Sequence, residues 1–524
     1  MPPEPSVLAD RTAPPKDLEI RPKQVKAWID SLPLAQAIEA SKKLSVHLAA
    51  LNRSKFDLDD RLLILESYRP VAAVLLEELD AIYGKAAIPM VPRAREALAL
   101  SRDLACGLAT GYRIAISEKA GKLIAFGTKK QLPLLIVRAM QYLAAALRAS
   151  YKSYTPAPQG IWREMHHLFL YAEQQGVSRE IGDAESKVTV FEAYTESLLL
   201  SLTDPYRLAQ GETDKVLAQI RSMRGLATLG QARPDSRPGG HFLIPCDTDK
   251  PPKPALSAND DTGGPNWRLL DANPVVDKMR MKKQAMDSGN VSATMSRMVG
   301  PEVLALIAKL LVLWGDPPKR SSRRNPMETT VAICVGIKAV GHFVSMEPKL
   351  GAQAESEALR KGITMPLAPL PTDDASQAIP VFEWDVVNQS AGGMKVRRLG
   401  PAQPLAVGEV VGVKLIDRSR WTIAVVRWLT TFDEGGMEFG LQFLSPMARM
   451  VSVQPTITSA TTKLALLLPD ADDPSLPDAL LTPPNTFADL REFELEEEGA
   501  VSCVRATSLI EKTGRFELFH VSPS

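Results

Sequence analysis

The sequence is short of most features that would place it quickly. Only four cysteines occur in 524 residues, Cys106, Cys246, Cys334 and Cys503, far apart and with no CxxC pair. Neither a zinc ribbon nor a disulfide framework is expected from them, and a reducing cytoplasm fits best. The adjacent pair His166-His167 would point its rings roughly 100° apart on a helix, with no histidine or carboxylate four residues on to complete a metal site. Neither sign of charge dominates: 62 Lys and Arg against 61 Asp and Glu leave a formal net charge of +1, which argues against a general nucleic-acid binder. Any basic patch must therefore be local. Long hydrophobic runs are missing too. The most apolar stretch, Val303 to Trp314, is about twelve residues at 1.5 Å rise each and carries Lys309, too short to span a bilayer. The amino terminus, MPPEPSVLADRTAPPK, has prolines and mixed charges where a secretory signal needs an unbroken apolar segment. A soluble, cytoplasmic protein with no membrane span and no nucleic-acid partner is expected. There is no Walker A loop, no G-x-S-x-G, no HExxH and no Cys/His pair with a local signature, so nothing supports catalysis or a cofactor.

What is present is length and a change of period. A chain of this size implies about two to four modules, and the expected architecture is a multidomain α + β protein. Residues 1–22 read as a disordered lead-in. From 23 to 229 the apolar spacing is helical and helix formers dominate, with helices expected over roughly 92–117, 131–152, 159–175, 188–203 and 213–226. A further helix opens near Asp57, and Pro70 should bend or break it. Residues 230–300 read as an irregular linking segment with room for two short strands, and 301–316 as a connecting helix whose Val303, Leu306, Ile307, Leu310, Leu311 and Trp314 share one side. Beyond Pro317 β-branched runs take over at 329–344, 381–387, 394–398, 409–416, 421–429 and 437–444. In the last of these Met437, Phe439, Leu441 and Phe443 alternate with polar or small residues, as one buried sheet face demands. A small antiparallel β-barrel is expected over 317–450, interrupted by an insertion at 345–380, and a C-terminal β-rich module over 451–524 with strands near 463–468, 490–496, 501–506 and 515–521.

The chemistry gathers where the period changes. Pro317-Pro-Lys-Arg-Ser-Ser-Arg-Arg-Asn-Pro326 holds four cations, among them Arg320, Arg323 and Arg324, and no acid, between prolines that discourage helix. Arginine presents a planar fork that takes two phosphate oxygens, or the O6/N7 pair of guanine, at once. Asn388-Gln-Ser-Ala-Gly-Gly393 adds short amide and hydroxyl groups at a strand end, then glycines that let backbone and ligand approach. Taken separately, a solvated linker and a plain β-turn account for these segments as simply. Of the tryptophans able to stack on a base, Trp314, Trp384, Trp421 and Trp428, core packing is the default for most, and Trp384 is the one to test.

The two segments in order, R-x-x-x-R at Arg320 and Arg324 and then [D/N]-x-S-x-x-G at Asn388, Ser390 and Gly393, resemble the PilZ domain. The likeness extends to Gly408-Glu-Val-Val-Gly-Val-Lys, to Trp421-Thr-Ile-Ala-Val-Val-Arg-Trp and to Gly440-Leu-Gln-Phe-Leu, covering about 317–447. PilZ domains are bacterial receptors for cyclic di-GMP. The resemblance implies that Arg320 and Arg324 clasp guanine edges and phosphates, that Asn388 and Ser390 hydrogen-bond a base or phosphate, and that Gly393 keeps the surface open. It also implies a protein partner for the helical region, in motility, pili or exopolysaccharide control. Asn388 stands where many members carry Asp, which keeps the hydrogen bond and removes a charge. Two other readings stay open: a ligand-free PilZ-like scaffold for pilus or flagellar machinery, and an RNA-binding adaptor using the same arginines, which predicts salt-sensitive binding to many sequences.

Overall fold

The computed structural model describes residues 11–121, 128–183, 185–232, 239–255, 265–288, 301–317, 324–347, 379–415, 420–432, 435–457, 461–469 and 477–524. The chain divides into two compact units, one of residues 1–86 and 90–319 and one of residues 87–89 and 320–524.

The first unit is helical. Its order is α1 (Pro22–Asp30), α2 (Ala37–Arg53), α3 (Leu58–Tyr83), α4 (Pro92–Gly121), α5 (Thr128–Lys152), α6 (Ile161–Gln174), a hairpin of β1 (Ile181–Asp183) and β2 (Val188–Thr189), α7 (Val190–Ser201) and α8 (Glu212–Ser222). Asp57 caps α3, its side chain accepting from the amides of Asp59 and Asp60, as an acidic N-cap does. Ile64, Leu65, Tyr68, Ala72, Leu75 and Leu79 then form one buried face. Pro70 was expected to bend or break this helix, yet α3 runs through it. The ring sits on the exposed side, and the buried face on either side of it holds the helix over one missing hydrogen bond. The lead-in is likewise tied down from Arg11 onward: Thr12 bridges Ser54, Thr12 N–H donates to the Arg53 carbonyl at 3.0 Å, and Arg11 pairs with Glu118. Residues 1–10 lie outside the described residues. By length and composition Gln131–Lys152 could cross a membrane, but 72% of its apolar window is buried in the helical core, which accounts for its character.

The linking segment is regular rather than irregular. β3 (Thr228–Gln231), β4 (His241–Pro245), β5 (Lys253–Pro254) and β6 (Trp267–Asp271) form an antiparallel sheet in the order β3-β6-β4-β5, followed by α9 (Asn273–Asp287). Phe242, Ile244 and Leu270 seal it onto the helical core together with Val275, Val276 and Met279 of α9. Strands of two to five residues are too short for alternation to show. α10 (Pro301–Gly315) joins the same core through Leu306, Ile307, Leu310 and Trp314, whose indole N–H donates to the Leu199 carbonyl at 3.1 Å. This helix belongs to the first unit and is not a free-standing connector.

The second unit is two closed six-stranded antiparallel barrels. The first comprises β7 (Asn325–Val335), β8 (Phe382–Ser390), β9 (Gly393–Arg398), β10 (Val410–Leu415), β11 (Thr422–Thr431) and β12 (Met437–Ser445), in the order β10-β11-β12-β9-β8-β7. The β run expected over 329–344 ends early: β7 stops at Val335, Gly336 takes φ +94°, and α11 (Ile337–Ser345) follows. Isoleucine, valine and phenylalanine here are apolar on one helical face, with Ala339, Val340 and Val344 buried. The second barrel comprises β13 (Arg449–Pro455), β14 (Lys463–Leu468), β15 (Ala479–Thr482), β16 (Glu492–Glu497), β17 (Ala500–Lys512) and β18 (Glu517–Pro523), in the order β13-β14-β15-β18-β17-β16. Its interior is Val453, Ala465, Leu467, Leu480, Phe493 and Phe519. The alternate residues Leu466, Leu468 and Leu481, with Phe516 and Leu518, face outward into a core shared with α11 and with Val410, Ile423 and Val425 of the first barrel.

Candidate functional site

β7 begins directly after Arg324, and its register fixes where the arginine segment ends. Asn325 stands opposite Gln389 and Pro326 opposite Asn388, so the exposed Arg324 lies at the same barrel end as Asn388 and Ser390. Arg320 and Arg323 lie outside the described residues, as do 348–378 of the expected insertion. Across the β8–β9 turn Ser390 faces Gly393, and its hydroxyl donates to the Gly393 carbonyl at 3.2 Å. A bulge between Val386 and Asn388 interrupts the alternation just before the motif. The side-chain oxygens of Asn388 and Gln389 are shielded from solvent with no hydrogen-bond partner among the described residues. Sheltered acceptors are nearly always paired, so these two are poised for donors from elsewhere.

Two candidates turn out to work inside the fold. A Cβ at Gly393 would collide with the Leu441 carbonyl oxygen, so this glycine lets β9 close on β12 where Gly393 pairs with Gln442. Its first requirement is strand contact, not an open surface. Trp384 is 2% exposed and stands edge-on to Phe439, ring centres 4.7 Å apart. Alternation along β8 turns Trp384 and Val386 inward while Glu383 and Asp385 face out, so Trp384 fills the barrel and offers no ring to a ligand outside it.

The aromatic surface lies elsewhere. A bulge between Val426 and Trp428 sets the consecutive residues Arg427 and Trp428 on the outer face of β11. Trp428 is half-buried, and its indole occupies the space where a side chain at Gly440 would stand. The Lys395 ammonium lies 5.8 Å from its ring centre. Gly440 pairs with Lys395 and Lys395 with Asn388, so Trp428, Lys395 and Asn388 form one row across four strands. The available signal was Gly440 itself: a glycine at an outward position of an alternating strand marks something lying over it.

The charges around this row are mostly committed. Glu438, 8% exposed, accepts from Lys395 Nζ at 2.6 Å and from Arg397 Nε and Nη2 at 3.0 and 2.7 Å. Arg427 donates its Nε to Gln442 Oε1 at 2.7 Å and both Nη groups to Glu511 of β17, at 2.5 and 2.8 Å. The exposed Arg324, the short polar groups of Asn388 and Ser390 and the Trp428 ring are the kinds of group that recognise an anionic, purine-bearing molecule. Away from it, His166 is a satisfied core histidine, its Nδ1 2.6 Å from the Tyr194 hydroxyl and its Nε2 2.9 Å from the Lys250 carbonyl. Among the described residues no group of three His, Cys, Asp or Glu could hold a metal.

Family models match the chain in three successive stretches: the N-terminal domain of the cyclic-di-GMP receptor FimW over residues 23–235, its middle PilZ domain over 241–364 and 349–449, and the FimW C-terminal β-barrel domain over 450–524. A Pseudomonas aeruginosa protein named as the cyclic-di-GMP receptor FimW is 26% identical over 558 residues, which covers 95% of this chain and 90% of that protein. With three domains matched in the same order along nearly its whole length, a helical region and two closed barrels where they belong, the chain belongs to the FimW cyclic-di-GMP receptor family.

Proposed function

We propose that this protein binds cyclic di-GMP on the outer face of its first barrel, as a cytoplasmic receptor and not an enzyme. One observation carries the reading: motifs roughly 64 residues apart (324 to 388) are brought to one barrel end by the pairing of Asn325 with Gln389 and Pro326 with Asn388. Arg324 and Arg320 reach guanine edges and phosphates from the connector. Asn388 and Ser390 meet the ligand from β8. The Asn388 Oδ1, without a hydrogen-bond partner among the described residues, suits guanine, whose N1–H and N2–H are donors, and asparagine accepts them without the charge of aspartate. Trp428 supplies a ring face for a purine, a contact worth roughly 1–3 kcal/mol.

Coupling to an output follows from where the arginines stand in the chain. The segment that carries them joins α10 to β7, so closing it over ligand resets the link between the helical unit and the barrels. Such a switch needs the ligand to favour the closed state, and several charge-assisted hydrogen bonds of roughly 1.5–3 kcal/mol each, before ordering costs, supply that preference. The helical unit is then the surface a protein partner reads.

Calorimetric titration with cyclic di-GMP tests the site. Wild type should bind with micromolar affinity, the Arg320→Ala, Arg324→Ala double variant should show no heat, and Asn388→Ala or Trp428→Ala should weaken binding by about tenfold or more. No heat from the wild-type protein would sink the receptor reading and leave a ligand-free scaffold.

A further inference from the structure

Building on that site, we infer that Arg427 is a further contact for the cyclic dinucleotide, and that Glu511 of the second barrel competes with the ligand for it. The bulge that exposes Trp428 exposes Arg427 beside it. Arg427 reaches back over Gln442, whose strand partner is Gly393, which in turn faces Ser390. At the usual strand spacing Arg427 therefore stands about 10 Å from Gly393 along the outer face. A ring bearing two purines and two phosphates covers that span, so a ligand on Asn388 and Trp428 comes within reach of this guanidinium.

The guanidinium is already presented in the form an anion recognises. Gln442 fixes Nε, and the two Nη groups point together at one carboxylate. That end-on pair of donors is the one a phosphate takes, so the Glu511 carboxylate occupies the place of a ligand oxygen pair. Arg427 and Glu511 side chains both remain 26% exposed, which leaves the pair open to displacement from solvent. The bridge is not needed to join the barrels, because Leu466, Leu468, Leu481, Phe516 and Leu518 already do so through the core shared with α11. The second barrel thus sets the affinity of the first by lending one acid to its ligand face.

Titration of the full-length protein with cyclic di-GMP, with melting temperatures taken alongside, decides the matter. Glu511→Gln, isosteric and uncharged, should lower Kd about three- to fivefold, the worth of one partly exposed ion pair. Arg427→Ala should raise Kd about tenfold or more. In the Arg427→Ala background Glu511→Gln should have no further effect; a persisting gain would mean that Glu511 only repels the ligand at a distance, and would overturn the competition. Weaker binding by Glu511→Gln at an unchanged melting temperature would overturn it as well, since Glu511 would then be orienting Arg427. If Glu511→Gln lowers the melting temperature, Arg427→Lys serves instead: it keeps the charge, loses the fork and should bind less tightly than wild type, whereas unchanged affinity refutes the contact. Wild-type binding that is lost in Asn388→Ala yet indifferent to Arg427→Ala defeats this inference and leaves the site itself standing. Absence of wild-type binding defeats both.

Discussion

A glycine inside a binding motif invites an explanation from the ligand, but Gly393 is explained first by its neighbours. Any side chain there meets the Leu441 carbonyl, and strands forced apart by one methyl group cost about 1–3 kcal/mol. Gly393→Ala should therefore lower the melting temperature of the ligand-free protein as well as weaken binding, while Arg324→Ala, on an exposed side chain, should leave the melting temperature unchanged. A Gly393→Ala protein that melts like wild type and loses only affinity would contradict the strand-contact role. Arg324, Asn388 and Ser390 were legible in the sequence because each belongs to a short motif whose chemistry is local. Trp428 and Arg427 were not, since their outward placement depends on a bulge, and their relation to Asn388 on three strand pairings that no single segment displays. Trp384, singled out for test, follows the core default instead, its ring on the inner face of β8.

Elements were readable where period and length agreed and misread where a neighbour overrode them. β14, expected near 463–468 and found at Lys463–Leu468, shows a strand read without alternation. Lys463-Leu-Ala-Leu-Leu-Leu has no alternation because both its faces are covered, Ala465 and Leu467 by the barrel interior and Leu466 and Leu468 by the shared core. α6 shows how a well-predicted helix can still depend on distant residues. The Asp249 carboxylate accepts from the amides of Gly160, Trp162 and Arg163 at its start, and His166 ties its middle to α7 through Tyr194 and to the Lys250 carbonyl. Burial pushes the His166 imidazole down from the usual 6.5 to about 4. The unfolded chain takes up a proton near the ordinary value while the folded chain refuses it until about pH 4, so stability falls as pH drops through that window. The loss reaches about 3 kcal/mol at most. Urea unfolding of the full chain, followed by helical circular dichroism from pH 7 to about 4.5, should show this slope in wild type and a shallower one in His166→Gln. Equal slopes would mean that folded His166 takes up its proton at the ordinary value, as the unfolded chain does.

At the scale of the molecule, the second unit was expected as a barrel plus a β-rich extension, and the shared core makes these one folding unit. Five large apolar side chains of the second barrel, Leu466, Leu468, Leu481, Phe516 and Leu518, are covered by α11 and the first barrel. At roughly 1.5–3 kcal/mol for each side chain removed from water, exposing them costs on the order of 10 kcal/mol, as much as a small domain has in total. No periodicity in 451–524 announces this, because an outward leucine on an alternating strand looks the same whether its cover is solvent or a neighbouring barrel. The fragment 450–524, expressed alone, should therefore lack a cooperative thermal transition and expose apolar surface to a reporter dye. The fragment 317–524 should melt in one step, and Leu481→Asp in that fragment should unfold both barrels together. A cooperative transition of 450–524 near the melting temperature of the pair would show that the barrels stand independently. Ligand on the first barrel would then leave the melting of the second untouched, whereas barrels that fold as one should be stabilised together by cyclic di-GMP.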